Sequence, residues 1–173
     1  MELETLVALI GGIAGFFGAL VGAGASIATT FLTNRHAVNL QSSADAIERQ
    51  EKARAFQRET LLACQEAVRA SARLTGRAYY EEVMALHNGT PWKKHIFGEP
   101  LNTDLAATKG TFGMLVERIA DNELRDELKA VSKLMTDVQF AASKQEAEMA
   151  LYLAMTRTEK VTELLGTVLR KTY

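Results

Sequence analysis

Residues 6–32 decide the fold, and they read LVALIGGIAGFFGALVGAGASIATTFL. This run contains no Asp, Glu, Lys, Arg or His, and it holds six of the chain's twelve glycines. A helix needs about 20 apolar residues to cross a hydrocarbon core of roughly 30 Å. Glycine weakens a helix in water, but lipid tolerates it because the backbone there must satisfy its own hydrogen bonds. We therefore predict an N-terminal transmembrane anchor over residues 1–34.

Two alternatives compete with a membrane span. The small residues Ala23, Gly24 and Ala25 resemble a signal-peptide cleavage site, which would make the leader removable and the protein exported or soluble. However, the residues before the run are acidic rather than basic, and the run is longer than a signal peptide requires. The second alternative is a buried core helix of a soluble protein.

The flanks of the run predict an orientation. The short leader carries Glu2 and Glu4 and no basic residue, whereas Arg35, Arg49 and Lys52 follow the run. Basic residues close to a span favour the cytoplasmic side. This bias predicts an N-terminus outside and a C-terminal domain in the cytoplasm.

Small residues recur along one side of the predicted span. The positions that form this glycine row are Gly11, Gly15, Gly18, Gly22 and Ser26. Helices in lipid associate by close backbone approach at small-xxx-small positions, so the pattern predicts self-association through a glycine zipper. The alternative is that glycine is simply common in membrane helices. The pattern does not fix the oligomer number, and a ring of such helices would be a pore.

The sequence pattern after the anchor predicts helices joined by short connections. Residues 35–55 are polar nearly all round and predict a helical stalk that continues the span. Residues 56–173 show apolar positions at helical spacing, with a Pro-bounded loop at 88–100, and no segment alternates with period two. The fold class is therefore all-α, with an antiparallel three- or four-helix bundle after the stalk.

The helix ends inside the bundle are predicted from capping residues. A second helix begins with Asn102 or Thr103 as its cap and runs to about Ala120. Asp121 or Asn122 caps a third helix, and a kink or short turn lies around Ser143.

Catalytic and metal-binding patterns do not emerge from the sequence. The three histidines, His36, His87 and His95, lack partners at ligand spacing. The single cysteine, Cys64, lies within an apolar helix face and is expected to be a packed thiol. The net charge of −1 shows no basic face for nucleic acid. We predict a non-enzymatic protein without cofactor, metal or nucleic-acid partner.

The loop between the two prolines is the candidate partner-binding segment. Trp92, Lys93, Lys94, His95 and Phe97 combine aromatic rings with positive charge, and aromatic residues are favoured at interface hot spots. The competing expectation is that Trp92 and Phe97, with their neighbour Ile96, fold back and close the end of the bundle.

The segment GALVGAGASIATTFLTNR and the later ERQEKARAFQRE resemble a class of uncharacterised small single-pass bacterial and phage membrane proteins. The likeness covers roughly residues 8–75. It implies a Gly/Ala-rich span in the bacterial inner membrane and a helical cytoplasmic domain, but no activity. The favoured hypothesis is a membrane-anchored, self-associating scaffold that binds a cytoplasmic protein. The alternative is an oligomeric pore-forming or membrane-perturbing protein, such as a holin-like or phage-defence effector.

Overall fold

The computed structural model describes the backbone from Glu2 to Tyr173. It describes every side chain from Thr29 onward and, before that point, those of Gly11, Gly15, Gly18, Ala19, Gly22 and Ser26. Within this backbone there are four helices and no strand, which confirms the all-α prediction for these residues.

The helices follow one another with short connections. Their bounds are α1 Glu2–His87, α2 Glu99–Glu117, α3 Asn122–Phe140 and α4 Lys144–Arg170. The long α1 contains no proline, which would remove a backbone donor and clash with the preceding turn. The chain divides into two compact units, Met1–Glu51 and Lys52–Tyr173.

Among the residues whose side chains are described, no helix is long and apolar enough to span a bilayer. The predicted membrane span, residues 6–32, falls largely outside those described side chains.

The second unit is built around one hydrophobic cluster to which all four helices contribute. Its fully buried members include Leu61 of α1, Phe112 of α2, Leu128 of α3 and Val161 of α4. Burying one such side chain completely contributes about 1.5–3 kcal/mol to folding. The helices of this unit are therefore held by packing between them rather than by their own propensity.

The start of α2 differs from its prediction. The helix begins at Glu99 with Gly98 as its N-cap, not at Asn102 or Thr103. Pro100 lies in the first turn of α2. N–H groups in the first turn of a helix have no partner within the helix, so a proline there removes no helical hydrogen bond and is compatible with the start of the helix. The side chain of Asn102 instead donates to the Phe97 carbonyl over 3.1 Å.

The end of α2 also differs, because the helix stops at Glu117 rather than near Ala120. The side chain of Gln57 on α1 holds the connection that follows. Its amide nitrogen donates to the Arg118 carbonyl and its oxygen accepts from the Ala120 N–H, each over 3.0 Å. This bridge satisfies one backbone acceptor and one backbone donor in the connection between α2 and α3.

The later caps agree with their predictions. Asp121 accepts a hydrogen bond from the Leu124 N–H over 2.9 Å and caps α3. The turn expected near Ser143 is present, with Ser143 as the N-cap of α4. Its hydroxyl accepts from the Glu146 N–H, while the Glu146 carboxylate accepts from the Ala142 N–H. This reciprocal pair satisfies two helix-end donors.

Candidate functional site

The glycine row lies on α1 within the first unit, and all five of its members are exposed. At 3.6 residues per turn, the five positions fall within an arc of about 80°. Apart from its chain neighbours and the backbone of its own helix turn, a Cβ atom added at Gly11, Gly15, Gly18 or Gly22 would meet none of the described atoms within 4 Å. The row is therefore an open strip of helix backbone that another helix can approach closely.

Just beyond the row, two threonine hydroxyls bond to the helix backbone. Thr30 donates to the Ser26 carbonyl over 2.9 Å, and Thr33 donates to the Thr29 carbonyl over 2.8 Å. Hydroxyls bonded in this way leave no unsatisfied donor on the helix surface.

The loop between α1 and α2, residues 88–98, makes specific contacts with the end of α3. Trp92 is half-buried and donates its indole N–H to the Ala141 carbonyl over 3.1 Å. Lys93 adopts a left-handed backbone with φ 67. Its ammonium group donates to the Gln139 carbonyl and lies 5.7 Å from the centre of the Phe140 ring.

These contacts supply what α3 itself lacks. The last turn of α3 has no basic residue, although a positive charge at a helix C-terminus is favourable. Lys93 provides that charge from the loop, and its backbone N–H donates to the buried carboxylate of Glu82 on α1. The loop thereby links the end of α1 to the end of α3.

His95 and Phe97 complete the loop's contacts. The His95 Nε2 atom lies 4.0 Å from a carboxylate oxygen of Glu81, which also pairs with Arg77 over 2.9 Å. The Phe97 ring is half-buried and meets His95 edge-on, with 5.3 Å between centroids. The side chains of Trp92, Lys93, His95 and Phe97 thus make contacts within the chain, and Lys94 donates its backbone N–H to the Pro91 carbonyl over 3.0 Å.

Ile96 and Lys94 remain on the surface of the loop. Ile96 is 86% exposed, so the expectation that it folds back is wrong, although Trp92 and Phe97 do pack inward. Phe140, at the end of α3, is 74% exposed and was not anticipated. The sequence analysis assigns no role to Glu82, which is also buried. Glu82 lies seven residues, or about two helical turns, after the buried Thr75, and this spacing places both side chains on one face of α1.

Cys64, the chain's single cysteine, is buried and therefore inaccessible to solvent. Cys64 is fully buried, and burial raises its pKa to about 12 because the thiolate would be poorly solvated. The packed-thiol prediction is confirmed. Among the described residues no group of His, Cys, Asp and Glu is arranged to hold a metal ion.

A small cleft is lined by residues of α1, α2 and α3. Its wall contains four hydroxyl-bearing residues, Ser71, Thr75, Ser132 and Thr136. The Ser71 hydroxyl is buried without a hydrogen-bond partner.

Comparison of the chain with protein-family models, curated proteins and solved structures finds no match.

Proposed function

We propose that this chain is a membrane-anchored scaffold that self-associates through the glycine row and has no catalytic activity of its own. The main support is the exposed strip at Gly11, Gly15, Gly18 and Gly22, where an added Cβ atom would find open space among the described residues. In lipid, apolar side chains gain little by leaving the acyl chains, so helices associate where small residues allow close packing. The strip provides that condition.

Membrane insertion of residues 6–32 is part of the proposal. Its support is the uncharged composition of that run and the arginine at position 35 that follows it. With the acidic leader outside, the second unit lies in the cytoplasm. By resemblance, the membrane is the bacterial inner membrane.

We further propose that the second unit is an antiparallel four-helix bundle. Glu127 of α3 pairs with Arg157 of α4 over 2.8 Å, and the two residues are equally far along the chain from the turn at 141–143. Arg58, early in the second unit, lies 4.9 Å from the ring of Tyr173 at the end of the chain. Both contacts are those of neighbouring helices that run in opposite directions.

A cytoplasmic protein partner would meet the loop end of this unit. Lys94 and Ile96 are exposed on the loop, and the exposed ring of Phe140 lies 5.7 Å from the ammonium group of Lys93. Apolar groups edged by positive charge suit an acidic partner with an apolar contact of its own.

The experiment that tests self-association compares single glycine substitutions in full-length protein in lipid vesicles. Gly18→Leu and Gly22→Leu are expected to lower the oligomeric fraction, measured by energy transfer between labelled chains. At both positions an added Cβ atom has open space around it, so the substitution does not begin with a steric clash at the helix surface. Gly24→Leu is the matched control, because helical periodicity places position 24 on the opposite side of the helix.

Three outcomes contradict the proposal. An oligomeric fraction that is equal in Gly22→Leu and Gly24→Leu excludes the glycine row as the contact. Leakage of a trapped dye from vesicles that carry the wild-type chain would favour the pore-forming alternative. Recovery of a mature chain that lacks the first residues, by mass spectrometry, would favour the exported alternative.

A further inference from the structure

We infer that the self-association surface continues beyond the membrane, where Thr33, Ala37, Leu40, Ala44 and Ile47 of α1 contact the same residues of a second copy of this chain. The inference rests on the proposed contact at the glycine row and extends it into water. The partner is a parallel copy, since all copies of one membrane protein share an orientation in the bilayer.

The spacing of the row continues without a break into this segment. Successive positions are separated by four, three and four residues, and this pattern occurs three times. The described positions that follow it are Gly11, Gly15, Gly18, Gly22, Ser26, Thr29, Thr33, Ala37, Leu40 and Ala44. An 11-residue repeat corresponds to about 3.67 residues per turn, close to the helix's own period. The row therefore stays on one side of α1.

Helix geometry gives the same result for the last member, Ile47. At 3.6 residues per turn, all positions from Gly11 to Ile47 in this set lie within an arc of about 100°. All of them belong to the first unit and to a single helix. A partner helix that packs along the glycines and continues in the same direction therefore also contacts Leu40 and Ile47.

The side chains along the row change with the solvent. Glycine occupies the first four positions, serine and threonine the next three, and Ala37, Leu40, Ala44 and Ile47 the last four. Close backbone contact drives association in lipid, whereas burial of apolar area drives it in water. Each part of the row therefore carries the residues that favour association in its own surroundings.

Neither lipid nor this chain covers the apolar end of the row. Leu40 is 71% exposed and Ile47 is 61% exposed. At 1.5 Å per residue they lie about 12 and 22 Å beyond Leu32, the last residue of the apolar run. Acyl chains do not reach that far from the end of a span. The surface is thus open to a second copy.

The charges on this segment are compatible with a copy of itself. Arg35, Asp45 and Arg49 lie on the opposite side of the helix, so like charges do not meet across a parallel contact. The next two positions of the repeat after Ala44 are both glutamates, Glu48 and Glu51. Facing glutamates would repel, so we place the end of the contact at Ile47.

Disulfide crosslinking of single cysteines tests the inference in the full-length protein in lipid vesicles. A disulfide requires Cα atoms within about 7 Å of each other, so only facing positions crosslink efficiently. Leu40→Cys and Ile47→Cys are expected to form dimers several-fold more than Val38→Cys and Arg49→Cys. The native Cys64 is fully buried, so the unmodified chain serves as the uncrosslinked reference.

Ser26→Cys separates failure of this inference from failure of the proposed function. Crosslinking at Ser26→Cys without crosslinking at Leu40→Cys would leave the glycine contact intact and overturn the extension. Equal crosslinking at Val38→Cys and Leu40→Cys would also overturn it, since random encounters do not follow a helix face. Absence of crosslinking at all five positions would reject both the extension and the glycine contact.

Discussion

Trp92 donates its indole N–H to the backbone carbonyl of Ala141, the residue that ends α3, over 3.1 Å. A residue of the proline-bounded loop thus takes the place of the next helical N–H at the end of α3. Since Lys93 donates to the Gln139 carbonyl beside it, two neighbouring side chains serve two of the carbonyls that a helix end leaves unpaired.

Trp92→Phe is expected to destabilise the protein by about 1 kcal/mol, because the Ala141 carbonyl loses its donor in a half-buried site. The free energy of unfolding is measured by urea denaturation of the full chain in detergent, followed by far-UV circular dichroism. Tyr152→Phe is the control, since Tyr152 is exposed and its substitution should change stability by less than about 0.5 kcal/mol. An equal change in both variants would show that the indole hydrogen bond contributes nothing.

Substitution by alanine should change the free energy of unfolding in opposite directions at two glycines, Gly89 and Gly110. Gly89 has φ +90, a conformation that alanine adopts only at a cost, so Gly89→Ala should destabilise by about 1–2 kcal/mol. Gly110 is exposed inside α2 with open space around it, so Gly110→Ala should stabilise by roughly 0.5–1 kcal/mol. The same urea titration, followed by the fluorescence of the chain's single tryptophan, compares the two. Changes of the same sign would contradict this assignment of backbone conformations.

The buried thiol predicts a loss of stability in alkali. Burial raises the pKa of Cys64 from 9.0 to about 12. Between these pH values the unfolded thiol releases its proton while the folded thiol keeps it, so the unfolded state binds fewer protons. The free energy of unfolding therefore falls as pH rises, by up to about 1.4 kcal/mol per pH unit. Below pH 9 the thiol is protonated in both the folded and the unfolded state, so the stability of the fold is not reduced by this ionisation.

Cys64→Ala provides the comparison for that pH dependence. The variant loses packing at every pH, but the difference between it and the wild type should shrink as pH rises above 9. In the native protein Cys64 should also resist alkylation at pH 8 and react once urea unfolds the chain. Rapid alkylation without urea would show that the thiol is accessible.

Acid is expected to weaken the contact between α3 and α4. Hydrogen bonding from Arg157 lowers the pKa of Glu127, and Lys160 adds to the effect. A lowered pKa stabilises the fold above the ordinary carboxyl value, and that stabilisation is lost as pH falls through the folded-state pKa. Glu127→Gln should therefore lose less stability between pH 6 and pH 3 than the wild type. Glu159→Gln, on the exposed side of α4, should retain the full wild-type acid dependence.

Local signals in the sequence predicted some features of the fold but not others. Asp121 and Ser143 act within three residues of the backbone groups they cap, so sequence alone identifies them. Gln57 binds backbone groups more than sixty residues away, and no local pattern signals such a contact. The sequence places the start of α2 too late, because a proline at the edge of a loop also fits the first turn of a helix, where Pro100 lies.

The same difference explains the candidate sites. The glycine row is defined by helical periodicity within one helix, and its five members are exposed in the structure; association through them stays a prediction. The loop residues were predicted from composition alone. Composition does not show that Trp92 and Lys93 bind carbonyls of α3, because that contact depends on how distant helices pack.

The proposed aqueous contact predicts unequal effects of two neighbouring lysines. Leu40 and Val38 are exposed to a similar extent, 71% and 64%, but they lie on opposite sides of α1. Leu40→Lys would place like charges opposite each other and remove apolar area from the contact. It should weaken self-association about tenfold, which corresponds to 1.4 kcal/mol. Val38→Lys should leave association unchanged, as measured by energy transfer at increasing dilution of the protein in vesicles. A similar loss in both variants would mean that charge near the bilayer, rather than the face of the helix, controls assembly.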